Sequence, residues 1–233
     1  MNSSNGIVCR KCNDTGFITV SEKVNTFVKC DCLKHAGMIT RLRKAGLTLE
    51  AMTKTFNTFD ADISTEAKRM KEVAGGYAIK FIKFKPNKDE YNSLALLGQA
   101  GAGKTHLLIS VMNYLITKSI TDIQYISYPE EMAILKQNVL DGQVLNPRMN
   151  KFKNCDLLVI DDLFKNGYTA SDLRLIFEII NSRYINQKSI AISSELTILD
   201  IQKIDGALAG RLKSMTDHYR YEIVGKKNDY RMR

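Results

Sequence analysis

The sequence predicts an α/β protein: a parallel, mostly buried sheet with helices on both faces, preceded by a small cysteine-bearing module. Three observations lead there. Helical and extended patterns alternate from residue 60 onward. The apolar stretch SLALLG (93–98) runs directly into G-x-x-x-x-G-K-T and then into a helical pattern. A second apolar stretch, DLLVID (156–161), lacks the polar alternation of a half-exposed strand and ends on the first of two adjacent acids.

Taken in order, residues 33–46 (LKHAGMITRLRKAG) read as a helix closed by Gly46 at its C-terminal cap. Residues 47–60 show no clear period and read as a connector. A helix follows at 64–84, then the strand at 93–98, then a helix opened by the glycine-rich loop and running to about 118. IQYIS (123–127) is a strand and 129–140 a helix; the strand at 156–161 comes next, followed by a helix at 170–186. SIAIS (189–193) is a strand, 197–214 holds two short helices, and HYRYEIV (218–224) is the last strand. The expected organisation is therefore a module with its linker helix at 1–46, a connector at 47–60 and the main domain at 61–233.

Length and composition agree with one domain plus an appendage, since the chain has 233 residues and 44% hydrophobic content. No apolar run reaches the length of a membrane span, and the polar start MNSSNG lacks a secretory leader's apolar stretch. A cytoplasmic location with reduced thiols is the expectation. The net charge of +9 is uneven: residues 1–60 carry nine Lys/Arg against five Asp/Glu, and 211–233 carry seven against three. Such ends suit either solubility or contact with a phosphate backbone.

The loop Gly98-Gln99-Ala100-Gly101-Ala102-Gly103-Lys104-Thr105, with His106 after it, has the chemistry of a triphosphate cradle. Its glycines let backbone N–H groups converge, and the helix that follows adds its positive N-terminal end. Lys104 would reach the β- and γ-phosphates of a nucleoside triphosphate, and Thr105 would offer a hydroxyl to Mg²⁺. His106 itself reads as helix surface. Asp161, at the carboxyl end of a central strand, would complete the magnesium site. Asp162 would orient or deprotonate the attacking water, a pairing that favours hydrolysis over transfer to an acceptor; alternatively it caps the next turn.

CRKCNDTGFITVSEKVNTFVKCDC (9–32) pairs Cys9 and Cys12 with Cys30 and Cys32 across two extended stretches, GFITV and TFVKC. A hairpin would bring four thiolates together as a structural Zn²⁺ site, and His35 would be a replacement ligand. Unpaired thiols or an iron–sulfur cluster are the other readings. A segment this short lacks the core to hold itself, which motivates a metal. Cys155 stands apart and reads as core.

From about residue 55 onward the chain resembles the AAA+ ATPases of the DnaC/DnaI helicase-loader kind, many phage-encoded, with the IstB transposition ATPases as relatives. The resemblance rests on LLGQAGAGKTHL, LLVIDDLF, SIAISSELT and GALAGRLKSM. It implies the AAA+ core, with five parallel strands ordered 5-1-4-3-2; the 22 residues after Arg211 are expected to be too few for the helical lid that many AAA+ proteins carry. It also implies a γ-phosphate sensor at the end of the fourth strand. Glu195 stands there where loaders commonly carry Asn, with Ser193 and Ser194 beside it. Arg211 matches the arginine that reaches into a neighbouring subunit, and a solvated surface role is the alternative. Arg231 is a weak candidate for a second sensor. The implied function is ATP-dependent loading of the replicative hexameric helicase onto single-stranded DNA, with homo-oligomerisation and with the N-terminal module docking the helicase. An IstB-like transposition ATPase binding duplex DNA, or a nucleotide-tuned adaptor with little hydrolysis, are the competing readings.

Three smaller expectations complete the reading. Phe56 and Phe59 either close over adenine or pack in the core. Tyr125 and Tyr128 pack by default, with base stacking as the sharper role. Lys/Arg at 41, 43 and 44 form a solvated face or a DNA contact.

Overall fold

The computed structural model describes residues 17–21, 26–29, 50–83, 92–120, 122–223 and 229–230. Strands β1 (Phe17–Ser21) and β2 (Thr26–Lys29) pair antiparallel, with an irregularity between Thr19 and Ser21. This is the hairpin expected between the two cysteine pairs. The four cysteines of those pairs, His35, the helix expected at 33–46, the basic patch within it and Arg231 lie outside the described residues.

The sheet has five parallel strands: β3 (Leu94–Gly98), β4 (Ile123–Ser127), β5 (Leu157–Asp161), β6 (Ser189–Ser194) and β7 (Arg220–Ile223). Their spatial order is β4-β5-β6-β3-β7. Counted along the sheet's own strands that is 2-3-4-1-5, the order the resemblance implied. The helices are α1 (Thr65–Lys83), α2 (Lys104–Thr117), α3 (Tyr128–Gln137), α4 (Gly142–Asn154), α5 (Ala170–Ile185), α6 (Ile198–Ile204) and α7 (Gly206–Met215).

Strand side chains alternate between faces, so a sheet covered on both sides needs apolar residues at every position. Leu94, Leu96, Leu157 and Val159 join Met70, Tyr77, Leu107 and Met112 of α1 and α2 in one core. Ala95, Leu97, Leu158 and Ile160 join Ile176, Ile179, Leu208 and Leu212 in the other. Each fully buried side chain of this size contributes roughly 1.5–3 kcal/mol. The starts of α5 and α6 are fixed by capping boxes, Thr169 with Asp172 and Thr197 with Asp200.

Two features depart from expectation. Helix α3 stops at Gln137 rather than 140, and α4 follows at Gly142–Asn154 where no element was expected. The sequence misleads in two ways. Val139 and Leu140 extend the apolar pattern of α3, yet they sit on the turn, with Leu140 98% exposed. Inside α4, Pro147 removes a helical N–H, and only Met149 and Phe152 are buried. Asp141 nevertheless starts the helix by accepting from the N–H groups of Gln143 and Val144.

Arg183 was not singled out by the sequence, yet it is fully buried. Its guanidinium donates to the carbonyls of Phe152 (2.6 Å), Cys155 (3.0 Å), Asp156 (3.3 Å) and Ser189 (2.5 Å). It thereby ties the end of α4 to the first residues of β5 and β6. Cys155 is buried beside it, as expected of a core thiol, and burial pushes its pKa up.

Candidate nucleotide-binding site

The glycine-rich loop leaves β3 at Gly98, which has φ +95. A β-carbon there would lie 2.0 Å from the carbonyl oxygen of Ile223 on the neighbouring strand, so only glycine fits. Gly103, at φ +82, is the residue before α2, and a β-carbon there would meet the Phe59 ring at 2.6 Å. The loop is thus held between the last strand of the sheet and the connector.

Lys104 is buried at the first position of α2, and its ammonium donates to the carbonyls of Gly98 and Gln99, each at 2.6 Å. Burial pushes its pKa down to about 8, opposed by the carboxylates of Glu195, Asp162 and Asp161. The next residue closes the site: Thr105 Oγ1 donates to Asp161 Oδ1 at 2.9 Å. The buried Asp161 also accepts from the hydroxyls of Ser193 and, at 2.8 Å, Tyr125. A hydroxyl and a carboxylate side by side are hard oxygen donors of the kind Mg²⁺ takes, so the residues fit that ion.

Asp162 has φ +57, uncommon for a residue with a side chain. Its N–H donates to Ser193 Oγ at 2.9 Å and its carboxylate accepts from Lys165 at 2.7 Å. The same lysine lies 3.7 Å from Glu195 Oε1. Asp162, Glu195, Lys104 and Thr105 all line one cleft of about 330 Å³.

The opposite wall of that cleft is aromatic. Phe59 stacks edge-on with His106 at 5.4 Å and lies 5.7 Å from the ring of Tyr230. His106 Nε2 lies 3.0 Å from the Thr55 carbonyl and 3.3 Å from the Thr58 hydroxyl. His106 is therefore not plain helix surface. It is half-buried, pins the connector to α2, and burial pushes its pKa down. Tyr230 donates its N–H to the Gly101 carbonyl at 3.1 Å and its hydroxyl to the Asp60 carbonyl. Of the two phenylalanines proposed for adenine, Phe59 lines the cleft, whereas Phe56 packs on Tyr114 at 6.4 Å.

This geometry sits on a chain that matches the family described as the bacterial DnaA ATPase domain over residues 53–216. The chain belongs to that family. This DnaA-family chain is 38% identical over 214 residues to the uncharacterized protein YqaM of Bacillus subtilis, covering 89% of the chain and 67% of YqaM. It is 33% identical over 224 residues to the phage-like element PBSX protein XkdC of the same organism, covering 93% and 82%. Among solved structures, DnaI shares the fold at TM-score 0.59 and 20% identity, covering 78% of this chain and 94% of DnaI. The DnaC helicase loader does so at 0.58 and 20%, covering 76% and 100%. The replication initiator DnaA bound to AMPPCP and single-stranded DNA does so at 0.60 and 21%, covering 76% and 51%.

Other candidates of this DnaA-family chain lie elsewhere. Gly98 and Gln99 serve through their carbonyls on Lys104 rather than by lining the cleft. Ser193 bonds Asp161, and Ser194 donates to the Leu163 carbonyl at 2.6 Å, so both hydroxyls already serve the loop after β5. Arg211 does not line its own chain's cleft. It donates to Asn181 Oδ1 at 2.7 Å and lies over the Phe177 ring at 4.7 Å. Tyr128 packs in the core against Phe164, while Tyr125 belongs to the Asp161 site, where burial pushes its pKa up. Sequence reasoning missed Tyr230 and Lys165; it named Ser193 and Tyr125, but not as partners of Asp161. The described residues hold no cluster of three metal-ligating side chains and no helix long and apolar enough to cross a membrane.

Proposed function

We propose that the protein is an ATP-dependent loader of the replicative hexameric helicase onto single-stranded DNA, in which nucleotide state switches partner binding and release. The observation that carries this reading is the Thr105–Asp161 bond at the mouth of a phosphate loop, in a DnaA-family chain that shares the fold of DnaI and the DnaC helicase loader.

In this reading the loop amides and Lys104 bind the phosphates of ATP. Lys104 exchanges two carbonyl acceptors for phosphate oxygens, so it is released only when a phosphate replaces them. Thr105 and Asp161 would hold Mg²⁺, whose charge would offset that on the phosphate oxygens. Asp162 takes a proton from water as the water oxygen bonds to the terminal phosphorus. The bond to the departing ADP oxygen breaks, leaving ADP and phosphate. Phe59 and Tyr230 form the wall for the base. Arg211 acts in the neighbouring copy's site, so specific turnover should rise with protein concentration and fall in Arg211→Ala. A flat profile unchanged by that substitution removes the finger.

Residues 1–46 complete the proposal as a helicase-docking module. Cys9, Cys12, Cys30 and Cys32 would hold structural Zn²⁺, with 47–60 as connector and 61–233 as the ATPase domain. The hairpin between the cysteine pairs supports that assignment.

The test is capture of a hexameric replicative helicase by the full chain in ATP and then in ADP. Binding to single-stranded and duplex DNA is compared at fixed salt. Capture that ignores the nucleotide sinks the loader reading, and a preference for duplex with no helicase capture favours the IstB-like alternative. The adaptor with little hydrolysis also has an observation in its favour: the Asp162 carboxylate is already engaged by Lys165. Turnover of the assembled complex separates it from the loader.

A further inference from the structure

We propose that Lys165 is a nucleotide-positioning residue: by bridging Asp162 and Glu195 it sets the charge at the phosphate end of the cleft so that a triphosphate is accepted there. The proposal rests on the nucleotide-site reading above and deepens it.

The geometry is specific. Lys165 Nζ lies 2.7 Å from Asp162 Oδ2 and 3.7 Å from Glu195 Oε1, and both acids line the cleft with Lys104 and Thr105. The acids stand at the phosphate end, because Asp162 directly follows Asp161, the partner of Thr105. The charge count then decides the matter. Among the charges acting on one another around Lys104, Asp161, Asp162 and Glu195 carry three negative ones against two positive ones on Lys104 and Lys165, a local net of −1 before Mg²⁺ adds its own. Without Lys165 the net is −2. Fixed like charges a few ångströms apart in a partly buried site repel strongly, so a site with that balance rejects the terminal phosphate first.

The position of Lys165 is also built rather than incidental. It sits in a turn where Asp162, Phe164 and Asn166 all take left-handed backbone, at φ 57, 64 and 63. Such residues persist only where surroundings hold them. Here the Phe164 ring is buried between Tyr128 and Tyr168, with centroids at 5.4 and 5.5 Å, and the Lys165 N–H donates to the Asp162 carbonyl at 3.0 Å. A solvated surface lysine needs no such turn. Glu195 stands where a neutral residue would spare the phosphates, and Lys165 adds to Lys104 the second cation that makes the carboxylate tolerable.

Diphosphate lacks the group nearest the two acids, so its affinity should depend little on Lys165. The experiment measures equilibrium binding of AMPPCP and of ADP, both with Mg²⁺, to the full chain. The variants are Lys165→Ala, Lys165→Arg, Glu195→Gln and the double variant Lys165→Ala with Glu195→Gln. Lys165→Ala should weaken AMPPCP by about tenfold or more while ADP changes by less than about threefold. Lys165→Arg should bind like the wild type, and the double variant should recover to within about threefold of Glu195→Gln alone. Equal loss for both nucleotides, no loss for either, or no recovery in the double variant overturns the proposal. If Lys165→Ala fails to fold, Lys165→Gln in the Glu195→Gln background carries the same comparison. Failure of the wild type to bind AMPPCP would instead strike the nucleotide-site reading itself.

Discussion

The hydroxyl of Thr105 lies 2.9 Å from a carboxylate oxygen of Asp161, although the two residues are 56 positions apart in sequence. Parallel strands with β6 between β3 and β5 bring the loop after one strand beside the end of another. Replacing Asp161 by Asn keeps the hydroxyls near an acceptor but removes the charge. We expect Asp161→Asn to lose the magnesium dependence of ATP binding and to lower turnover by about a hundredfold or more. Nucleotide titrations with and without Mg²⁺ check this, and unchanged magnesium dependence counts against the assignment.

Asp162→Asn should separate binding from chemistry. The carboxylate faces the cleft but does not touch Asp161's hydroxyl partners, so ATP affinity should change by only a few-fold. Turnover should fall by about 10²–10⁴ if Asp162 accepts the proton from water. Single-turnover hydrolysis gives the answer, and a loss of affinity with turnover preserved would assign Asp162 to the turn instead.

The depressed pKa of Lys104 predicts a pH effect on binding. In the empty site its ammonium loses its proton near pH 8, so ATP affinity should fall as pH rises through about 8 to 9, with proton uptake on binding above that point. The charged groups acting on Lys104 are Glu195, Asp162 and Asp161, which favour its ammonium, and Lys165, which opposes it. For stability the sign is opposite. Between pH 8 and the ordinary lysine value of 10.5 the unfolded chain binds the extra proton, so this group alone makes the fold more stable as pH rises across that window. Calorimetry in buffers of different ionisation enthalpy detects the uptake.

Tyr230 offers a test of the aromatic wall. Removing the ring in Tyr230→Ala should weaken ATP about tenfold and lower the preference for adenine over guanine nucleotides. Tyr230→Phe, which keeps the ring and deletes the hydroxyl that donates to the Asp60 carbonyl, should stay within about threefold. Equal affinity for inorganic triphosphate in both variants would confirm that the change acts on the base. A matching loss for triphosphate would place Tyr230 with the loop rather than the wall.

Arg183→Lys should be severe despite keeping the charge. An ammonium cannot span four carbonyls, so about 2–4 kcal/mol of stability should be lost to unpaired buried acceptors. Denaturant unfolding of the full chain measures it, and a change under about 0.5 kcal/mol contradicts the tie described above.

What was legible in the sequence was local and periodic. The strands and the glycine-rich loop announce themselves within a few residues. What failed depended on distant partners. His106 looked like surface because Thr55, Thr58 and Phe59 come from a connector with no period. Tyr230 carries no motif, and its role arises only where it crosses Gly101. Helix α4 was hidden by Pro147 and by a polar composition that buries two side chains only. Arg183 looked like any helix arginine, because the carbonyls that need it belong to three other segments.

That guanidinium also divides the sheet mechanically. It pegs one rim, where β5 and β6 begin, by fixed donors that no ligand displaces. At the far rim the same two strands end in Asp161 and Ser194, and the Asp161 carboxylate there takes the Thr105 and Ser193 hydroxyls that a bound ion would displace. The two strands are thus moored at one end by an arginine that donates to backbone carbonyls, and their exchangeable contacts are gathered at the other, beside the glycine-rich loop.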